Sequence, residues 1–142
     1  MLPSSLKYIG LAAAIEKMIK TLSSDKKLKI KFVQRNVNKI PPEVNIVLIY
    51  RIAQEALTNL VKHAHATRAS VKLECLRGVL SLEITDNGKG IHTDNAHNTN
   101  GIGFFVMRER AKLLNGTFNV ESNPKKGTKI RVEVPLKEDN IL

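Results

Sequence analysis

Residues 50–64 read YRIAQEALTNLVKHA, and this stretch decides the fold because its pattern is that of a helix buried along one side. The helical pattern begins near Pro42, which can occupy the first turn of a helix, and continues to about Ala64. Apolar side chains recur every three or four residues, as one face of a helix requires. They are Val44, Val47, Leu48, Ile52, Ala56, Leu57, Leu60 and Ala64.

A polar stripe runs along the same helix. Arg51, Glu55, Asn59 and Lys62 are spaced so that they share one face. One interpretation is a solvated surface with an Arg51–Glu55 ion pair. The other is a ligand site, because Mg²⁺ prefers oxygen ligands and is usually held by one or two protein groups plus phosphates and water. Asn59 offers such an oxygen, Glu55 could accept a proton, and Lys62 could meet a phosphate.

The rest of the chain predicts an α+β, two-layer sandwich of one domain spanning 1–142, since helices and strands do not alternate one for one. Residues 1–6 are expected to be a linker remnant and residues 137–142 a tail. Two more helices are predicted over 6–22 and 104–114, the second closed by Asn115-Gly116. Alternating or apolar runs predict five strands, over 28–34, 69–76, 79–85, 117–122 and 128–134.

Composition limits the function classes. The net charge is +10, which invites a nucleic-acid hypothesis, but aromatic residues are only 4%, which leaves little for base stacking. A basic surface that attracts a polyanionic small ligand is favoured instead. No segment is long and apolar enough for a membrane span or signal peptide, and the single Cys75 forms no internal bridge. We therefore expect a cytoplasmic domain without direct membrane contact or bound nucleic acid.

Residues 86–90, DNGKG, follow the strand 79–85 directly. A lone turn has this composition, but an aspartate at a strand end could also accept a hydrogen bond from an adenine amino group. Gly88 and Gly90 would let the base lie against bare backbone, and Ile91 could contact the ring. The polar, aperiodic residues 92–100 are then expected to form a mobile lid, because long loops in compact domains are usually functional.

Gly101-Ile102-Gly103 precedes the predicted helix 104–114. Free backbone N–H groups at a helix start bind anions, and glycines let phosphate approach closely. The third glycine of the dinucleotide fingerprint is missing, and so is the Walker pattern.

Taken together, these motifs resemble the ATPase superfamily that includes gyrase, Hsp90, histidine kinases and MutL. Residues 54–64 resemble its N box, residues 86–90 its first glycine box, Gly101–Gly103 its second, and Gly127-Thr128 its Gly-Thr pair. Residues 50–64 and 107–111 are most similar to sensor histidine kinases of the nitrate-sensor and desaturase-regulating type. The resemblance covers about Leu6 to Pro135. It implies a Bergerat-type sandwich, with a mixed sheet of about five strands covered on one face by about three helices.

The resemblance also implies roles around ATP and Mg²⁺ as cofactors. Asn59 would be the metal ligand, and Glu55 would act as the catalytic base or polarise the attacking group. Lys62 and His63 would be neighbours of the phosphates.

At the base-binding end, Asp86 would bind the adenine amino group. Gly88 and Gly90 would line the base, and Thr128 would support Asp86 through water. Gly101 and Gly103 would flank the lid and approach the phosphates.

Two positions depart from the subfamily, in which residue 102 is often polar and residue 106 is often glycine. Here they are Ile102 and Val106, and the departure concerns the geometry of the lid.

On this resemblance the chain is the catalytic and ATP-binding domain of a two-component sensor histidine kinase. Its partners would be a dimerising phosphoacceptor domain of the same kinase and a response regulator. No histidine here is followed by Asp or Glu, the usual neighbour of the acceptor, so the acceptor is expected outside this chain. His65, His92 and His97 are interpreted as surface residues.

Two alternatives remain open at this point. One is a protein serine kinase of the anti-sigma type with the same ATP fold. The other is a basic adaptor that binds nucleic acid.

Overall fold

The computed structural model describes residues 5–24, 27–89 and 101–136. Three helices occur in these ranges: α1 (Ser5–Leu22), α2 (Ile46–His63) and α3 (Gly101–Leu113). The strands are β1 (Lys29–Arg35), β2 (Arg68–Leu76), β3 (Val79–Asp86), β4 (Thr117–Asn123) and β5 (Gly127–Pro135). A short 3-10 turn, Val37–Lys39, follows β1.

The five strands form one mixed sheet in the order β1-β2-β3-β5-β4. Strands β1 and β2 are parallel, with α2 as the connection between them, and all other neighbours are antiparallel. The inward positions alternate as a half-buried sheet requires, for example Leu80, Leu82 and Ile84 on β3. The α+β two-layer fold predicted from the sequence is therefore confirmed.

Helix α2 lies in the middle of the helical layer, in contact with α1, α3 and the central strand β3. Its apolar face is completely buried at Ile49, Ile52 and Leu57. Small residues, Ala53 and Ala56, complete that face and allow the neighbouring elements to approach. The packing of this face consequently fixes the position of the polar stripe relative to β3.

The start of α2 differs from the prediction, which placed its first turn at Pro42. The helix begins at Ile46 because the side chain of Asn45 accepts a hydrogen bond from the Val47 N–H at 3.2 Å and so caps it. Pro41 starts a turn instead, and its carbonyl accepts from the N–H of Val44.

The predicted single helix over 6–22 is interrupted. Gly10 has φ 86° and ψ 168°, a conformation that is essentially restricted to glycine, so α1 consists of two segments that meet there. Helical periodicity around Gly10 could not reveal this break.

The end of α3 agrees with the sequence prediction. Asn115 takes the left-handed conformation, its N–H donates to Lys112, and the Gly116 N–H donates to Ala111. This pair of bonds satisfies the last carbonyls of the helix. The start of α3 is earlier than predicted, because Gly101 is already helical.

Candidate functional site

The polar stripe of α2 meets the first turn of α3. Glu55 and Asn59 are both half-buried, and Gly103 lies over them. A Cβ atom added to Gly103 would be 3.1 Å from Asn59 Nδ2 and 3.7 Å from Glu55 Oε2. The absence of a side chain at 103 therefore allows α3 to begin directly above these two groups.

Within the part of the chain that the structure describes, the side-chain amide of Asn59 lacks a hydrogen-bond partner for its nitrogen. Its nitrogen Nδ2 is fully buried and has no hydrogen-bond partner among the described residues. Burying a polar group without a hydrogen-bond partner costs about 1–3 kcal/mol, so such a group in a native structure requires an explanation. A phosphate oxygen would accept from Nδ2, and the amide oxygen could ligate a metal ion. The residue thus fits a nucleotide–metal complex.

Glu55 is not used in an ion pair with Arg51, contrary to the alternative interpretation of the stripe. Arg51 instead donates to Gln54 Oε1 at 2.7 Å. No ion pair of Glu55 occurs within residues 27–89 or 103–136. Its carboxylate is therefore available to a ligand or a reacting group.

The position of α3 is fixed by contacts on its other side. Phe104 packs against Phe118 of β4 with ring centroids 6.4 Å apart, and the Arg108 guanidinium lies 5.5 Å from the Phe118 ring centre. Arg110 also donates to the backbone carbonyl of Arg51 at 3.4 Å. These contacts hold the first turn of α3 over the stripe.

Asp86 is the last residue of β3 and one of the few buried polar residues described, at 8% exposure. The Gly88 N–H donates to its Oδ1 at 2.8 Å, and the backbone N–H of its sheet partner Thr128 also donates to the carboxylate. Burial raises the pKa of Asp86, and these two hydrogen bonds partly oppose the rise. The carboxylate retains acceptor capacity for a further donor.

Thr128 contacts Asp86 through its backbone, whereas its hydroxyl lies 3.1 Å from the hydroxyl of Ser122 on β4. Gly127 precedes it with φ 104°, and a Cβ there would overlap the backbone carbonyl of Asp86. The Gly127-Thr128 pair therefore lets β5 start against the end of β3, and any water-mediated role of the Thr128 hydroxyl stays a prediction.

Gly88 is packed against the end of α2. A Cβ at this position would overlap the carbonyl oxygen of Ala64, and the neighbouring Lys89 N–H donates to that same oxygen at 2.9 Å. The structure thus gives a reason for glycine at 88 that is independent of a base. Its predicted place in the base pocket stays a prediction.

Asn87 has a role that the sequence analysis missed. Its side-chain oxygen accepts from the backbone N–H groups of Thr67 and Arg68, and its amide nitrogen donates to the Thr67 hydroxyl at 3.0 Å. The loop after α2 is thereby fastened to the loop after β3. The signal was an asparagine in a turn, where such side chains commonly bond to the backbone.

We expect Gly88→Ala to lower the free energy of unfolding by about 1–3 kcal/mol, because the added methyl group would press on backbone that cannot rotate away. Thermal or urea unfolding measures this. The matched variant is Gly103→Ala, whose methyl group would meet the movable side chain of Asn59, so its loss of stability should be smaller. Equal stability losses in the two variants would contradict the assigned packing.

Lys62 and His63 are exposed in the last turn of α2. Two basic groups at a helix C-terminus also suit the helix dipole, so their proximity to phosphates stays a prediction. The predicted residues Gly90 and Ile91, the lid 92–100, and His92 and His97 lie outside the described residues. For Gly101 only the backbone is described.

Among the described residues, no group of three or more His, Cys, Asp or Glu side chains lies together in a way that could hold a metal ion. None of the helices described is both long enough and apolar enough to cross a membrane.

Comparison with known proteins agrees with this geometry. The chain is 33% identical over 135 residues to the oxygen sensor histidine kinase NreB of Staphylococcus carnosus, covering 94% of this chain and 39% of that protein. It is 33% identical over 140 residues to the signal transduction histidine-protein kinase/phosphatase DegS of Bacillus subtilis, with 94% and 36% covered. The chain therefore spans well under half the length of these relatives.

Among solved structures, the histidine kinase domain of a blue-light activated histidine kinase from Erythrobacter litoralis has a similar fold. The TM-score is 0.70 at 25% identity, covering 89% of this chain and 61% of that one. The profile of the family described as "Histidine kinase-, DNA gyrase B-, and HSP90-like ATPase" matches residues 44–138, which include both the polar stripe and Asp86. The chain belongs to this family of histidine kinase-, gyrase B- and HSP90-like ATPases.

Proposed function

We propose that this domain binds ATP with Mg²⁺ and donates the γ-phosphoryl group to a histidine on a separate dimerising domain. It would thus be the catalytic domain of a two-component sensor histidine kinase. The observation that carries the proposal is the close approach of Glu55 and Asn59 to Gly103 in the first turn of α3, where the Asn59 amide nitrogen is buried without a hydrogen-bond partner among the described residues. The histidine kinase names of the relatives support the choice of acceptor.

Each residue has a distinct task in this proposal. Asp86 accepts the adenine amino group, and Asn59 holds the metal and a phosphate oxygen. Glu55 orients or deprotonates the attacking imidazole, while Lys62 and His63 approach the phosphates. Mg²⁺, when bound, supplies charge neutralisation at the phosphates. Catalysis in phosphoryl transfer is mainly such positioning and charge stabilisation.

The remaining partners follow from this role. The acceptor histidine lies on a dimerising helical domain of the same kinase, and a response regulator receives the phosphoryl group afterwards. Because ATP would be the phosphoryl donor, we propose a cytoplasmic location for the domain. The serine-kinase and nucleic-acid alternatives are not favoured, because the relatives reported above carry histidine kinase names.

Incubation with γ-labelled ATP tests the proposal. The purified chain alone should remain unlabelled, and an added dimerising domain from a kinase of this subfamily should gain label that is stable to base and labile to acid. Such label on the isolated chain would contradict the donor-only role. Failure to bind ATP would remove the proposal altogether.

Asn59→Ala should abolish the part of ATP affinity that depends on Mg²⁺, because the variant loses the uncharged oxygen next to Glu55. The measurement is calorimetric titration with ATP, with and without Mg²⁺. Asn119→Ala, an exposed asparagine on β4, is the matched control and should keep the full effect of Mg²⁺. If Mg²⁺ strengthens binding equally in both variants, Asn59 is not the metal ligand.

A further inference from the structure

A pocket of about 280 Å³ lies between α1 and α2, away from the polar stripe. This is close to the lower end of the volumes of ligand pockets, roughly 300–1,000 Å³, so it suits a small molecule. Apolar side chains on α1 and polar groups from both helices surround it. The lining residues are Ala14, Lys17, Met18, Thr21, Leu22, Tyr50, Gln54 and Thr58.

Tyr50 contributes a hydroxyl group to the pocket. The residue as a whole is only 7% exposed, and its hydroxyl makes no hydrogen bond to the described residues. The hydroxyl is not buried like the Asn59 amide nitrogen, so it remains accessible from the pocket. It is therefore free to donate to a molecule bound there.

Gln54 and Lys17 add two further donors. The oxygen of Gln54 already accepts from Arg51 at 2.7 Å, so the side-chain N–H groups of Gln54 are the part left for a ligand. Lys17 carries a positive charge and forms no ion pair within the described residues. None of the lining residues is acidic, so the polar rim offers donors and a cation to an anion.

The pocket is distinct from the proposed nucleotide site. Tyr50, Gln54 and Thr58 each precede a residue of the polar stripe by one position, which turns them about 100° around α2. They therefore face α1, whereas Glu55 and Asn59 lie under α3. A molecule in this pocket and a nucleotide would contact adjacent sides of one helix.

We propose that this pocket is a second binding site, which takes a small carboxylate with an apolar body. The apolar body packs on Ala14 and Met18. The carboxylate accepts hydrogen bonds from Tyr50 and Gln54 and pairs with Lys17. The chain's net charge of +10 favours the approach of an anion.

Methyl-detected NMR titration tests this site with three probes of similar size: benzoate, benzyl alcohol and benzylamine. The protein is kept saturated with ATP and Mg²⁺, so that the probes cannot occupy the nucleotide site. Benzoate should shift the methyl signals of Met18 and Ala14 in a saturable way. Benzyl alcohol should bind several-fold more weakly, and benzylamine should not bind.

Two variants locate the contacts. Lys17→Gln should weaken benzoate about two- to fivefold, as expected for a partly exposed ion pair, and Tyr50→Phe should weaken it about two- to tenfold. Lys20→Gln, on the exposed side of α1, is the matched control and should leave benzoate binding unchanged. The proposal is overturned by any of three results: no saturable shift at Met18, equal binding of the three probes, or equal losses in Lys17→Gln and Lys20→Gln.

Discussion

Glu55→Gln should lower the rate of phosphoryl transfer to a separate dimerising domain by about 10²–10⁴-fold, the usual contribution of a positioned general base. Glutamine keeps the size and the hydrogen-bonding oxygen of the side chain but cannot take up a proton. ATP affinity should change little, because a base acts mainly in the transition state. Initial rates of labelling and a separate ATP titration measure the two effects.

The matched control is Glu121→Gln, which removes the same charge from an exposed position on β4. Its transfer rate should equal that of the unchanged chain. If Glu55→Gln loses ATP affinity in proportion to its transfer rate, Glu55 contributes to binding, and the assignment as base is wrong.

Asp86→Asn should weaken ATP binding by roughly 10- to 150-fold, because a hydrogen bond to a charged acceptor is worth about 1.5–3 kcal/mol. The fold of the variant should remain intact. Burial raises the pKa of Asp86, which means that the folded state disfavours its ionised form. Asparagine removes this cost but has one oxygen for the two N–H donors, Gly88 and Thr128, so the melting temperature without nucleotide should change little at neutral pH.

The pH dependence gives an independent check. A raised pKa contributes stability that is present in acid and lost as the pH rises through that pKa. The stability of Asp86→Asn relative to the unchanged chain should therefore be lowest in acid and rise toward neutral pH. Glu83→Gln, on the same strand but facing away from the helices, removes an equal charge and should leave ATP affinity intact. Unchanged ATP affinity in Asp86→Asn would exclude Asp86 from the base pocket.

Local sequence patterns were sufficient to predict most of the fold. The apolar spacing of α2 and the alternation along β2, β3 and β5 show which side chains are buried. The period of that burial pattern distinguishes the helix from the strands here. The patterns did not predict features that depend on the backbone angles or on a side-chain hydrogen bond of a single residue. Gly10 splits α1 through its backbone angles, and Asn45 moves the start of α2 through a side-chain cap.

The arrangement of the candidate site could be predicted from the sequence to a similar extent as the fold. The spacing of Glu55 and Asn59 placed them on one face of α2, and the structure brings both under Gly103. The packing of α3 on α2 could not be read from either segment alone, since it depends on contacts between residues about 45 positions apart in the sequence. The same holds for Asn87, whose partners are Thr67 in the loop after α2 and Arg68 at the start of β2.

The order of the strands in the sheet has a consequence for how the site is assembled during folding. Strands β2 and β3 form a hairpin with a tight turn, so they can pair locally. The pairing of Lys29 with Arg68 joins residues 39 positions apart, and that of Asp86 with Thr128 joins residues 42 positions apart, so both are non-local and form slowly. Asp86 needs Thr128 of β5 beside it, and Glu55 and Asn59 need Gly103 of α3. A chain arrested at the hairpin would therefore hold neither half of the proposed site, and both halves arise only with the long-range closure of the fold.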